Sequence, residues 1–153
     1  MSSPYITTSI DGVSFEDGPD QGRVLVFGHE TGGRYSLMEY VVASGRASDS
    51  AAVNYGRHVH LSIEETFYIQ AGELEFLIDA EVVTLKAGDF VRVPPGTAHG
   101  YANRTNDTVR LMVSFVPGGF EELFVKYRTD GGDPAGGAGF LAEATRDHAS
   151  VFG

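Results

Sequence analysis

An all-β fold is predicted for this chain by three features of its 153 residues. Twenty glycines, about 13% of the chain against a usual ~7%, separate short segments rich in Val, Phe, Tyr, Ile and Leu. The spacing of those segments suits a sandwich or a small barrel. Within several of them apolar and polar residues alternate, as they do when successive side chains leave a strand on opposite faces.

In chain order the expected strands are 24–27, 35–43, 57–60, 65–71, 73–78, 81–85, 90–93, 97–102 and 108–116. The pattern is clearest at 73–79, where Leu74, Phe76 and Ile78 are expected to face inward and Glu73, Glu75 and Asp79 to face water. In 111–116 both faces are nearly apolar, so that strand is expected to be covered on both sides. After Pro117-Gly118-Gly119, the residues Phe120, Leu123, Phe124 and Tyr127 follow the spacing of one apolar helical stripe. Glu121 and Glu122 open that helix and Lys126 and Arg128 close it, the charge order its dipole favours.

The first 128 residues therefore read as one barrel with a packed helix at 119–128. Residues 129–139 hold five glycines and Pro134 and are expected to be a flexible linker. Residues 140–153 form a tail with a short helix at 140–148, and removal of residues 132–153 should leave the barrel folded. The stretch 44–52, rich in Ser, Ala and Asp, is expected to be a mobile loop.

Composition narrows the function. Eleven Lys and Arg against 21 Asp and Glu give a formal charge of −10, which repels phosphate backbones and anionic lipid surfaces, and no basic patch offsets it. Neither a nucleic-acid nor a membrane partner is expected, and no helix-turn-helix segment accompanies the strands. With no cysteine, disulfides, thiolate zinc sites, iron–sulfur clusters and a Cys nucleophile are excluded, so any metal must sit on nitrogen and oxygen. The start Met1-Ser2-Ser3-Pro4-Tyr5 lacks the features of a secretory signal, and a cytoplasmic location is expected.

The chemistry lies in two clusters. His58-Val59-His60 projects two imidazoles onto one face of a strand, close enough to grip one ion. Glu65 follows a turn-compatible Ser62-Ile63 and would share an inward face with Phe67 and Ile69, where a lone carboxylate needs a cationic partner. Further on, Pro94-Pro95-Gly96 forms a rigid turn that delivers His99 early on the next strand. Three imidazoles and one carboxylate would leave coordination positions for water, substrate or O2. His29 and His148 are read as ordinary surface histidines, and Asp147-His148 lacks the serine frame of a catalytic triad.

These clusters resemble the two motifs of the cupins. The first, G-x5-H-x-H-x(3,4)-E-x6-G, is matched by His58, His60, Glu65 and Gly72; the six-residue gap to Gly72 selects Glu65 over Glu64, and Ala52 stands where the opening glycine would fall. The second, G-x5-P-x-G-x2-H-x3-N, is matched in full by Gly88, Pro94, Gly96, His99 and Asn103. The fifteen residues between the motifs and the Pro-Gly-Gly-Phe-Glu-Glu stretch at 117–122 further resemble small quercetin-dioxygenase-like cupins.

The resemblance implies a double-stranded β-helix, or jelly-roll, barrel of six strands. It implies one divalent metal ion (Fe, Mn, Ni, Cu, Co or Zn, which the motifs do not distinguish) held by His58, His60, Glu65 and His99. An O2-dependent dioxygenase acting on a small organic substrate follows, with Glu65 as the catalytic proton acceptor. A non-oxidative cyclase or isomerase of the polyketide-cyclase kind and a non-catalytic ligand-binding module stand as alternatives. Met38, Tyr40, Phe67, Phe76, Tyr101, Phe120 and Phe124 are candidates for the substrate pocket, and a homodimer is the expected assembly.

Overall fold

A computed structural model, describing residue 4 and residues 6–45, 55–127 and 134–152, folds the alternating segments into two facing antiparallel sheets. The strands are β1 (Val13–Asp17), β2 (Asp20–Val26), β3 (Ser36–Val42), β4 (His58–His60), β5 (Glu64–Ala71), β6 (Glu73–Ile78), β7 (Glu81–Lys86), β8 (Phe90–Val93), β9 (Ala98–Ala102), β10 (Val109–Val116) and β11 (Ser150–Phe152). Between β10 and β11 lie helices α1 (Glu121–Tyr127) and α2 (Pro134–His148). One sheet has the order β1-β2-β3-β10-β5-β8 and the other β11-β4-β9-β6-β7. The chain thus forms the jelly roll expected, but with eleven strands among the described residues, in sheets of six and five, rather than six in all.

The inner faces meet in one continuous apolar core. Met38 and Tyr40 of β3, Phe67 and Ile69 of β5, Leu74 and Phe76 of β6, and Leu111 and Val113 of β10 all point into it. Ile78, also expected inward, is only half-buried. Strand β10 is central to its sheet, paired with β3 on one side and β5 on the other. Its burial nevertheless alternates: Val109, Leu111, Val113 and Phe115 are buried, whereas Arg110 and Val116 are exposed. The expectation of cover on both faces is therefore corrected, since Met112 and Ser114 are only half-buried on the outer side.

Three further differences concern the ends of the chain. Strand β1 precedes the first expected strand, 24–27, and β2 begins four residues ahead of it; their hairpin turns on Asp17-Gly18-Pro19-Asp20 and sends Phe15 into the core, while Glu16, Asp17 and Asp20 dilute the apolar pattern. Helix α2 begins at Pro134, inside the segment expected to be linker, so the linker reading is overturned from that residue onward. Proline suits a first helical turn, and tertiary packing of Phe140 and Ala144 in the core outweighs weak local propensity. The tail then adds β11, which pairs with β4. Residues 129–133 of the expected linker, and the expected loop 44–52 beyond Gly45, lie outside the described residues.

Helix α1 and Phe120 just before it carry the predicted stripe, with Phe120 and Leu123 buried and Phe124 and Tyr127 packed against the core. Glu121 is fully buried and accepts hydrogen bonds from the backbone N–H groups of Gly28, at 2.6 Å, and Gly119, at 2.7 Å. It thereby ties the helix start to the opposite end of the chain. Among the described residues no helix is long and apolar enough to cross a membrane.

The packing makes the tail structural. Phe140 is 5% exposed and meets Phe120 and Phe124 edge-on at 5.8 and 5.2 Å. Replacing Phe140 with Ala should destabilise the whole chain by about 3–5 kcal/mol in equilibrium urea unfolding; an unchanged midpoint would return the tail to the status of a detachable segment.

Candidate metal centre

Strand β4 presents His58 and His60 on one face, and its antiparallel register with β9 sets His99 directly opposite His58. Glu65 reaches the same point from β5 in the facing sheet. Two tight backbone features make this possible. Gly96 takes a positive φ of 86° in the Pro-Pro-Gly turn before β9, and its N–H donates to the His60 carbonyl at 2.8 Å. At Gly100 a Cβ would lie 2.3 Å from the Tyr55 carbonyl oxygen, so only glycine lets the segment leading into β4 pass so close to β9.

The four ligand atoms lie within 4.8 Å of one another. The Nε2 atoms of His99, His60 and His58 approach one oxygen, Oε2 of Glu65, at 2.8, 3.2 and 3.9 Å. His60, Glu65 and His99 are buried, and His58 is half-buried at the edge of the cluster. Each ring is fixed from behind through Nδ1. His58 bonds to the Gly56 carbonyl at 2.7 Å, His99 to the Thr97 carbonyl at 3.0 Å and His60 to the Ser150 hydroxyl at 2.7 Å.

This arrangement calls for positive charge at its centre. A carbonyl oxygen only accepts, so Nδ1 of His58 and of His99 must donate, and a neutral ring then turns a bare Nε2 toward the carboxylate. Lone pairs facing lone pairs in an apolar interior repel unless protons or a metal ion intervene. Burial alone would raise the Glu65 carboxyl, yet its contacts with His58, His60 and His99 hold it well below the usual carboxylate range. For His60 burial wins and lowers the imidazole, favouring the neutral form; for His58 burial is outweighed by Glu65 and the Gly56 carbonyl, and the ring is raised.

His60 supplies the sharpest test of fit. Its Nε2 is fully buried and makes no hydrogen bond among the described residues, although Glu65 Oε2 lies 3.2 Å away. A neutral nitrogen left bare beside an ionised carboxylate and two further imidazoles is the donor set of a first-row divalent ion. The residues could therefore hold such a metal.

A cavity of about 420 Å³ opens beside His58. Of the side chains expected to line a pocket, Tyr40, Tyr101, Phe120 and Phe124 do so. Met38, Phe67 and Phe76 do not: each is at most 2% exposed and packed in the core, where Phe67 and Phe76 support Tyr101 from behind at 6.1 and 5.7 Å. The wall also includes Asp17 and Asp20 from the β1–β2 hairpin, Tyr55, and Phe140, Leu141 and Phe152 from the tail. Sequence reasoning missed these, although the Asp-Gly turn at 17–18 was a usable signal for the hairpin. The Tyr40 hydroxyl donates to Asp17 at 2.6 Å, and burial beside Tyr101, Asp17 and Asp20 keeps that phenol well above its ordinary range. His29 lies on the surface as expected and pairs with Glu122 at 2.9 Å, whereas His148 is half-buried with its ring edge-on to Phe120.

Residues 49–115 match the family described as Cupin domain. The quercetin 2,3-dioxygenase of Bacillus subtilis (strain 168) is 31% identical over 121 residues, which cover 79% of this chain and 34% of that protein. The enzyme of the same name from Aspergillus japonicus is 29% identical over 116 residues, covering 72% of this chain and 31% of its own. The chain thus spans about a third of the length of these relatives. Among solved structures, the Streptomyces nucleoside dehydratase Pac13 shares the fold with a TM-score of 0.59 and 18% identity, covering 78% of this chain and 88% of that one. The sequence match and the two-sheet barrel closed around three histidines and a glutamate together make this chain a member of the cupin superfamily, one that resembles the quercetin-dioxygenase-like cupins.

Proposed function

We propose that this protein is a mononuclear divalent-metal enzyme that oxidises a small, oxygen-bearing organic molecule with O2, as a dioxygenase acting on flavonol-like substrates. One observation carries the reading: an ionised carboxylate set among three inward imidazoles stands beside an aromatic-walled cavity of about 420 Å³. That volume lies within the roughly 300–1,000 Å³ common for small-molecule sites. The two related quercetin 2,3-dioxygenases support the choice of reaction.

When bound, the ion would supply Lewis-acid polarisation of the substrate oxygens and redox access to O2. The chain's own residues do the rest. Phe120 and Phe124 exclude water and offer ring faces and edges to a planar substrate. Glu65, kept ionised by the imidazoles, accepts the proton of a substrate hydroxyl at a carboxylate oxygen. Tyr101 and the Tyr40–Asp17 pair give the cavity a polar wall that can bond the substrate's hydroxyl groups.

Purified protein dialysed against a divalent metal should retain about one equivalent per chain, and His60→Ala or His99→Ala should retain less than about a tenth of that by plasma mass spectrometry. Unchanged metal content in either variant would contradict the ligand assignment. With the Fe, Mn, Ni, Cu or Co form and a 3-hydroxyflavone, O2 uptake should accompany loss of substrate. Glu65→Gln should slow it by about 10²–10⁴-fold without unfolding the chain. Turnover that proceeds undiminished without O2 would move the protein to the non-oxidative class.

A further inference from the structure

The C-terminal strand reaches into the metal centre. β11 pairs with β4 so that Ser150 lies opposite His60 and Phe152 opposite His58. Ser150 is fully buried, and the Phe152 ring stacks on the His58 ring at 5.6 Å. His58 and His99 are steadied by carbonyls two residues away in their own segments, whereas the partner of His60 comes from ninety residues along the chain.

The contacts of Ser150 dictate its direction of bonding. Its Oγ lies 3.2 Å from the His148 carbonyl oxygen and 2.7 Å from His60 Nδ1. A hydroxyl has one proton and a carbonyl can only accept, so Oγ donates to His148 and accepts from His60 Nδ1–H. That places the ring proton of His60 on the side away from Glu65. It leaves Nε2, the buried nitrogen that makes no hydrogen bond among the described residues, with its lone pair toward the other ligands.

We propose that Ser150 is a positioning residue for the metal centre: it holds His60 in the Nδ1–H tautomer, so that docking of the C-terminal strand and metal binding favour each other. The inference builds on the metal-site reading above and is independent of the reaction catalysed. Without the hydroxyl, the buried Nδ1–H loses its partner, and the ring gains by moving its proton to Nε2, where Glu65 Oε2 accepts it. The proton then occupies the lone pair a metal needs. Linkage makes the effect reciprocal: whatever a docked strand adds to metal affinity, bound metal adds to strand docking.

The test uses the full-length apo-protein and Zn2+ alone, titrated against a chromophoric chelator. Ser150→Ala should bind Zn2+ about 10- to 100-fold more weakly, the usual cost of losing a group that orients a ligating histidine. Ser150→Thr, which keeps the hydroxyl, should stay within about threefold of wild type by the same reasoning. Histidine ¹⁵N spectra of the apo-protein should show His60 as Nδ1–H in wild type and Nε2–H in Ser150→Ala. Amide exchange at 150–152 should slow on adding Zn2+ to wild type and change less in Ser150→Ala. Wild-type affinity in Ser150→Ala, or an Nε2–H ring in wild-type apo-protein, would overturn the proposal. The wild-type spectrum decides the matter even where Ser150→Ala does not fold. A wild-type chain that binds no Zn2+ refutes the metal-site reading and the coupling with it, while the spectrum still tests the Ser150 contact separately.

Discussion

Burying a carboxylate among phenylalanines and leucines costs several kcal/mol unless opposite charge or strong hydrogen bonding accompanies it. Glu65 sits in that position, on a strand whose inward neighbours are Phe67 and Ile69. Its compensation comes from His58, His60 and His99, all aimed at one of its oxygens. Because the rings are braced through Nδ1, all three Nε2 atoms face the carboxylate together, an arrangement that could hold a cation. The rest of the barrel serves to hold these groups together.

Holding them requires both sheets and both ends of the chain. β4 and β9 supply the histidines from one sheet and β5 the glutamate from the other, so the centre exists only when the sheets close. The buried Glu121 clamps the start of α1 to Gly28, and Phe120, the residue just before α1, is thereby held with its ring centre 4.6 Å from that of His60. Helix α2 then covers Phe120 and Phe124 and leads into β11. The cavity is in this way walled by the earliest hairpin, the barrel strands and the tail together.

The central strands and all four candidate ligands were legible because each rests on a short local pattern: period-two alternation, or histidines spaced to share a strand face. Gly96 belongs to such a pattern too, and its backbone role follows from the turn it permits, whereas Gly100 is explained only by the close approach of Tyr55. What stayed hidden depends on contacts distant in sequence. Nothing near Ser150 announces that it meets His60, and the glycines before Phe140 hide a helix that exists because the barrel offers it an apolar surface. Met38, Phe67 and Phe76 have the inward parity expected of pocket residues, but parity cannot tell the wall of a cavity from the core behind it. The acidic wall was missed for a similar reason, since what brings Asp17 and Asp20 to the cavity is the packing of the β1–β2 hairpin, which no local pattern shows.

The most direct measurement is anomalous diffraction from crystals grown with a saturating divalent ion, collected on both sides of its absorption edge. The expected result is one peak per chain at about 2.0–2.2 Å from the Nε2 atoms of His58, His60 and His99 and from a Glu65 oxygen. A cluster that remains without a peak under saturating metal, or an ion bound only elsewhere on the chain, would contradict it.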